Sequence, residues 1–208
     1  MDVSSTSGWD CIRYGGDGIR SIECGALYRL DGLGWTQETK HQLEFRLPPG
    51  FIDPREREFF PSVLTRKQSD AEIWHFQATY HRDGFCMFAA ELNSTGQFAG
   101  LIGLQTMNFV VPSVAQPAVE IGWRLSHIHW GKGLATEGAL GGIRYAFGTL
   151  GLLEVLAITA PGNLRSRRVM EKIGMNHHPE LDFDHPRLPA GHPLRTHVLY
   201  TLKNNTAS

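Results

Sequence analysis

The chain has 208 residues, of which 41% are apolar and 20% charged. That length suits one full-sized domain with an appendage, and the composition suits a globular chain rather than a disordered one. Twenty Lys and Arg against 21 Asp and Glu leave a formal charge of −1, so electrostatics gives no case for nucleic acid or an anionic membrane as a partner.

No run approaches the roughly 20 apolar residues that span a bilayer. The polar opening MDVSSTSGWD carries no secretory pattern. Cys11, Cys24 and Cys86 are the only cysteines, and an odd, sparse set fits a reducing cytoplasm. The ten histidines form no HExxH pattern and no CxxC-linked set, so no metal is expected.

Residues 1–23 are rich in Gly and Ser and read as an extension of unknown role. Within it, Asp17-Gly18 is a hairpin signal between residues 11–14 and 19–22, which brings Cys11 opposite Cys24. Residues 24–30 read as a strand. A helix is predicted from Thr36 to about Leu47, stopped by Pro48-Pro49-Gly50, and a short one from Asp53-Pro54 through Phe60. Leu64-Thr65 opens another helix that ends near Asp83-Gly84.

The period then changes. Residues 85–92 and 98–109 read as a hairpin around the turn at 93–96. Residues 118–125 (AVEIGWRL) alternate, with Val119, Ile121 and Trp123 on the core side and Glu120, Gly122 and Arg124 on the other. Residues 134–150 form a helical pattern, 154–160 a buried strand, and 163–173 a helix with Gly174 just past its end. A further strand is expected within 175–181, then a long loop over 182–193, and a last strand at 194–202. The order is mixed α and β around one sheet.

The segment with chemistry is EIGWRLSHIHWGKGLAT, residues 120–136. A strand ends, glycines follow, and a helix begins. Backbone N–H groups in such a turn converge with the positive end of the helix on an anion such as a pyrophosphate. Lys132 adds a charge and the Thr136 hydroxyl a donor. The loop is neither GxxxxGK[ST] nor GxGxxG. Gly138, Gly141 and Gly142 on the following helix each cost about 0.5–1 kcal/mol relative to Ala, which points to close packing against that helix. Downstream, Asn163 is a helix cap and Ser166 sits one turn in.

Together these segments resemble the GCN5-related N-acetyltransferase (GNAT) superfamily, in its Rim-type branch of ribosomal-protein acetyltransferases. The family's acetyl-CoA loop, Q/R-x-x-G-x-G/A, is matched by Trp130-Gly131-Lys132-Gly133-Leu134-Ala135, followed by Thr136-Glu137. VEIGWRL, the later NLRSRRVMEKIGM, Leu64-Thr-Arg, the turn at Thr95-Gly96, Phe183-Asp-His-Pro and His197-Val-Leu-Tyr fit the same branch. The likeness runs over about residues 24–202. Trp130 stands where the family has Gln or Arg, and no tyrosine falls within 163–174 to serve as the phenolic acid of many relatives.

The resemblance implies an α+β, three-layer fold. It has a mixed, mostly antiparallel sheet of about six to seven strands flanked by helices, with residues 24–208 as one domain. It implies acetyl transfer from acetyl-CoA to a primary amine, a protein N-terminus or a small molecule, while monomer and homodimer both stay open. Residues 130–136, Asn163 and Ser166 would bind the cofactor. Glu120 is the first candidate for the base and His185 the second, and Ser166 is the donor to the leaving thiolate. The rival readings are another acyl-CoA, an amine antibiotic as acceptor, and a non-catalytic domain that senses acyl-CoA.

Overall fold

A computed structural model describes residues 53–205 in full and the backbone of residues 19–22, 30–31 and 34–35. The approach of Cys11 to Cys24, the strand partner at 11–14 and the helix at 36–47 lie outside the described residues, as does most of the strand at 24–30.

The elements run in chain order as β1 (Ile19–Ile22), β2 (Leu30–Asp31), β3 (Gly34–Trp35), α1 (Arg66–Asp83), β4 (Met87–Leu92), β5 (Phe98–Thr106), β6 (Val119–Leu125), α2 (Leu134–Gly148), β7 (Glu154–Thr159), α3 (Leu164–Lys172), β8 (Asn176–His177), β9 (Phe183–Asp184) and β10 (Thr196–Lys203). The main sheet has the order β1-β4-β5-β6-β7-β10-β8, with β9 on β10, and β2 pairs with β3 separately. All pairings are antiparallel except β6 with β7. β1 falls within the stretch read as an extension, yet it pairs with β4 as an edge strand of this sheet.

Local chemistry explains the long elements. Thr65 caps α1 in a capping box with Gln68, and Gly84 ends it in the left-handed conformation at φ 78°. α2 lies on β5 and β6, burying Ala139, Ile143 and Ala146 against Leu104, Val119 and Ile121. The glycines of α2 allow this approach: a Cβ on Gly142 would stand 3.1 Å from Ile121 Cδ1. On the opposite face of the sheet, Leu156 and Leu199 pack with Val111, Ala118 and Phe183.

Three expectations are corrected. Residues 53–60 form successive turns rather than a helix, and the Asp53 carboxylate bonds Arg55 within that turn. The strand expected within 175–181 is only β8, because Pro179 opens a single 3-10 turn. Trp123, expected in the core, is only partly buried and lines the cavity described next.

Candidate active site

β5 and β6 stay paired along seven positions, from Gly100 with Leu125 to Thr106 with Val119. β6 and β7 pair at one position, Glu120 with Leu156. The two parallel strands therefore diverge beyond Glu120 and leave a cleft between their carboxyl ends. A cavity of about 780 Å3 opens there. Its walls are the end of β6 (Trp123, Leu125), the glycine loop and the start of α2, the first turns of α3, and Phe59 and Phe60 from the turns before α1.

The glycine loop has the conformation that anion capture needs. Gly131 and Gly133 have φ of 75° and 82°, the left-handed region where glycine is free and other residues are strained. Gly133 is the N-cap of α2 and offers no side-chain acceptor, so the first-turn N–H groups stay available for a ligand. A Cβ on either glycine would meet nothing within 4 Å. Trp130 folds the loop back, donating from Nε1 to the Leu125 carbonyl at 2.8 Å. The Arg165 guanidinium lies 4.4 Å above the Trp130 ring and joins α3 to the loop.

Of the residues singled out in the sequence, Trp130, Gly131, Gly133, Leu134, Ala135, Thr136, Asn163 and Ser166 all line this one cavity. Lys132 is exposed and outside the lining. Asn163 is already occupied: its Oδ1 accepts from the Ser166 N–H at 3.2 Å and its Nδ2 donates to Thr159 Oγ1 at 3.0 Å. It holds α3 to the end of β7.

Glu120 and His185 lie outside the lining. Glu120 sits at the apex of the fork and points to the face opposite Ile121. Gln105 Nε2 donates to its Oε2 at 2.7 Å. Burial pushes the Glu120 carboxyl up to about 7, against the pull of Gln105 and the Ile158 backbone N–H. The His185 ring packs 4.7 Å from Phe109 and 4.9 Å from His197. Burial first, then His197 and Arg187, lowers its pKa, so the imidazole is neutral at pH 7.

Sequence reading missed Gln105, because the register of β5 against β6 is set across a loop whose length hides it. It also missed the residues of the 53–60 turns that close the cavity. Glu56 there is buried and bonds Ser126 and His127, a contact about 70 residues apart in the chain.

The chain matches the acetyltransferase (GNAT) domain family over residues 39–176. It belongs to that family, whose shared chemistry is acyl transfer from acetyl-CoA. It is 31% identical over 129 residues to the uncharacterized protein YkkB of Bacillus subtilis, covering 61% of this chain and 72% of that one. It is 48% identical over 58 residues to the FsC-acetyl coenzyme A-N(2)-transacetylase of Aspergillus fumigatus, which is 28% of this chain and 25% of that one. An acetyltransferase structure from Agrobacterium tumefaciens superposes with a TM-score of 0.59 at 25% identity, covering 75% of this chain and 84% of that one. Rim-type ribosomal-protein acetyltransferases are also among the structural neighbours and share the fold. Among the described residues no helix is long and apolar enough to cross a membrane.

Proposed function

We propose that this protein transfers the acetyl group of acetyl-CoA to a primary amine, with Glu120 as the general base. The observation that carries this reading is the position and tuning of Glu120. It stands at the apex of the β6/β7 fork, with a carboxyl pushed up to about 7. A base works best when its pKa lies near the operating pH, because it is then both ionised and able to hold a proton. An acceptor amine arrives as an ammonium ion and must lose a proton before it attacks.

The cavity on the other side of the fork suits the donor. Bound there, acetyl-CoA supplies an activated thioester. The N–H groups of residues 131–136 hold its pyrophosphate. Asn163 shapes the start of α3, and Ser166 offers a hydroxyl to the leaving sulfur. The acceptor is a protein N-terminus or a small amine. The name of the Aspergillus relative, an N(2)-transacetylase, favours neither over the other beyond an amine-type nitrogen.

Thiol release from acetyl-CoA, followed with a panel of small amines and short peptides, tests the reading. An amine-dependent rate that falls at least about 100-fold in Glu120→Gln supports it. Binding of acetyl-CoA with no amine-dependent turnover by the wild type overturns it in favour of a sensing domain.

A further inference from the structure

Arg165 is an exposed residue in the first turn of α3, yet its side chain is held in one place. Its guanidinium lies 4.4 Å above the Trp130 ring. That ring is itself fixed: Nε1 donates to the Leu125 carbonyl, and the ring packs against Leu125 and Leu134. Arg165 also donates from Nη2 to the Glu58 carboxylate, on the turns before α1. Both partners of that pair are about half exposed, at 55% and 52%, so water screens it and it anchors little. The ring, not the carboxylate, sets the plane of the guanidinium.

A guanidinium stacked on an aromatic face keeps its N–H donors in its own plane, aimed outward. One donor goes to Glu58, and among the described residues Arg165 makes no other hydrogen bond. The side chain is accessible and lines the cavity. An ordered cation with spare donors on a cavity wall suits an anion. The contact with Trp130 puts this cation at the start of the glycine loop, where the N–H groups of the first turn of α2 lack a side-chain cap. We infer that Arg165, seated on Trp130, binds the pyrophosphate of the donor through its remaining N–H donors, so that α3 and the glycine loop hold the anion together. The planar fork of donors matches two oxygens of one phosphate. Glu58 competes with that phosphate for the guanidinium. The inference rests on reading the cavity as the CoA site, but not on the base, the acceptor or the course of the cofactor's arm.

Calorimetry with CoA and with dephospho-CoA, which keeps the pyrophosphate and lacks the 3′-phosphate, tests it. Arg165 and Glu58 are half exposed, so variants there should fold as wild type. Arg165→Gln should weaken both ligands about tenfold, through the loss of a charge-assisted contact. Arg165→Lys keeps the charge but not the planar fork, and should still bind both at least about threefold more weakly than wild type. Glu58→Gln removes the competing carboxylate and should bind both about two- to threefold more tightly. Unchanged CoA affinity in Arg165→Gln overturns the inference. A loss seen with CoA but not with dephospho-CoA overturns it too, since Arg165 then serves the 3′-phosphate. Weaker binding by Glu58→Gln also overturns it, because the pair then only clasps the turns to α3. Wild-type affinity in Arg165→Lys overturns the seated fork in favour of a point charge. A wild type that binds neither ligand fails the CoA reading itself and removes the inference with it.

Discussion

Gln105 on β5 and Glu120 on β6 face each other across the sheet, and Gln105 Nε2 donates to Glu120 Oε2 at 2.7 Å. This bond favours the ionised carboxylate, while burial disfavours it; burial is the larger effect, so the carboxyl sits at about 7. As a base Glu120 acts only when ionised, so kcat/KM should rise with pH through about 7. Gln105→Leu removes the bond and should move that rise upward by roughly one pH unit. A rise that stays in place, measured from pH 5.5 to 9.5, shows that Gln105 does not tune the base.

The same carboxyl has a consequence for stability. Its folded pKa is raised above the value of 4.5 for a free side chain, so the folded state binds the proton more tightly. Stability from this group is full below the unfolded pKa and is lost as pH rises through about 7. Glu120→Gln cannot ionise. It should melt no lower than wild type at pH 6 and higher than wild type at pH 8.5, by differential scanning calorimetry, despite losing activity.

Gly133 has φ of 82° and open space where a Cβ would lie. Val there fills the place assigned to a pyrophosphate and strains the backbone. Gly191 has φ of 80°, equally open surroundings and no part in the cavity, so Gly191→Val carries the strain alone. CoA affinity by calorimetry should fall at least about 100-fold in Gly133→Val, the loss of several charge-assisted bonds. It should stay near wild type in Gly191→Val. Equal affinities in the two variants place the anion elsewhere.

Two glycines make opposite predictions for stability. A Cβ on Gly103 would overlap the backbone carbonyl oxygen of Cys86, the residue just before β4, which pairs with β5 there. Backbone cannot yield as a side chain tip can, so Gly103→Ala should cost roughly 1–3 kcal/mol or more. For a chain of this length each kcal/mol lowers Tm by about 2–4 °C. Gly148 is the last residue of α2, exposed, with nothing within 4 Å of a Cβ. Gly148→Ala should raise Tm by a few degrees, since Ala gains about 0.5–1 kcal/mol over Gly in a helix.

Much of the cavity's lining was legible in the sequence because its parts are local. The glycines at 131 and 133, the cap at Asn163 and Ser166 one turn later lie in two short runs, and each run has its own strand-to-helix signature. Glu120 could be placed on its face by alternation alone. What alternation could not give is the fork, because the divergence of β6 and β7 depends on which strands pair and where they part. Glu56 and Gln105 act across about 70 and 15 residues of chain, respectively, and nothing local marks them. The turns at 53–60 looked helical because Asp-Pro is a common helix start. There Asp53 instead bonds Arg55 side chain and backbone, which favours a turn.

The choice of base sets Glu120 against His185. Both lie toward the face of the sheet that carries Leu156, Leu199 and Phe183, and both are uncharged or partly uncharged near pH 7. They differ in what holds them. Glu120 is fixed on a strand by Gln105, at the position where β6 and β7 meet. His185 is in the segment after β9, edge-on to Phe109 and tilted against His197, with its Nδ1 accepting from the Arg187 N–H. A group whose ring nitrogen is already engaged has less freedom to take a proton. Glu120→Gln should therefore cost at least about 100-fold in kcat/KM, with the loss largest above about pH 7, where the wild-type carboxylate is ionised. His185→Ala should cost less than about tenfold, by loosening the segment after β9 that its ring packs against Phe109 and His197. The reverse outcome, an active Glu120→Gln and an inactive His185→Ala, moves the base to the loop after β9. If both variants keep near-wild-type rates, solvent takes the proton, and catalysis comes from holding the amine against the thioester.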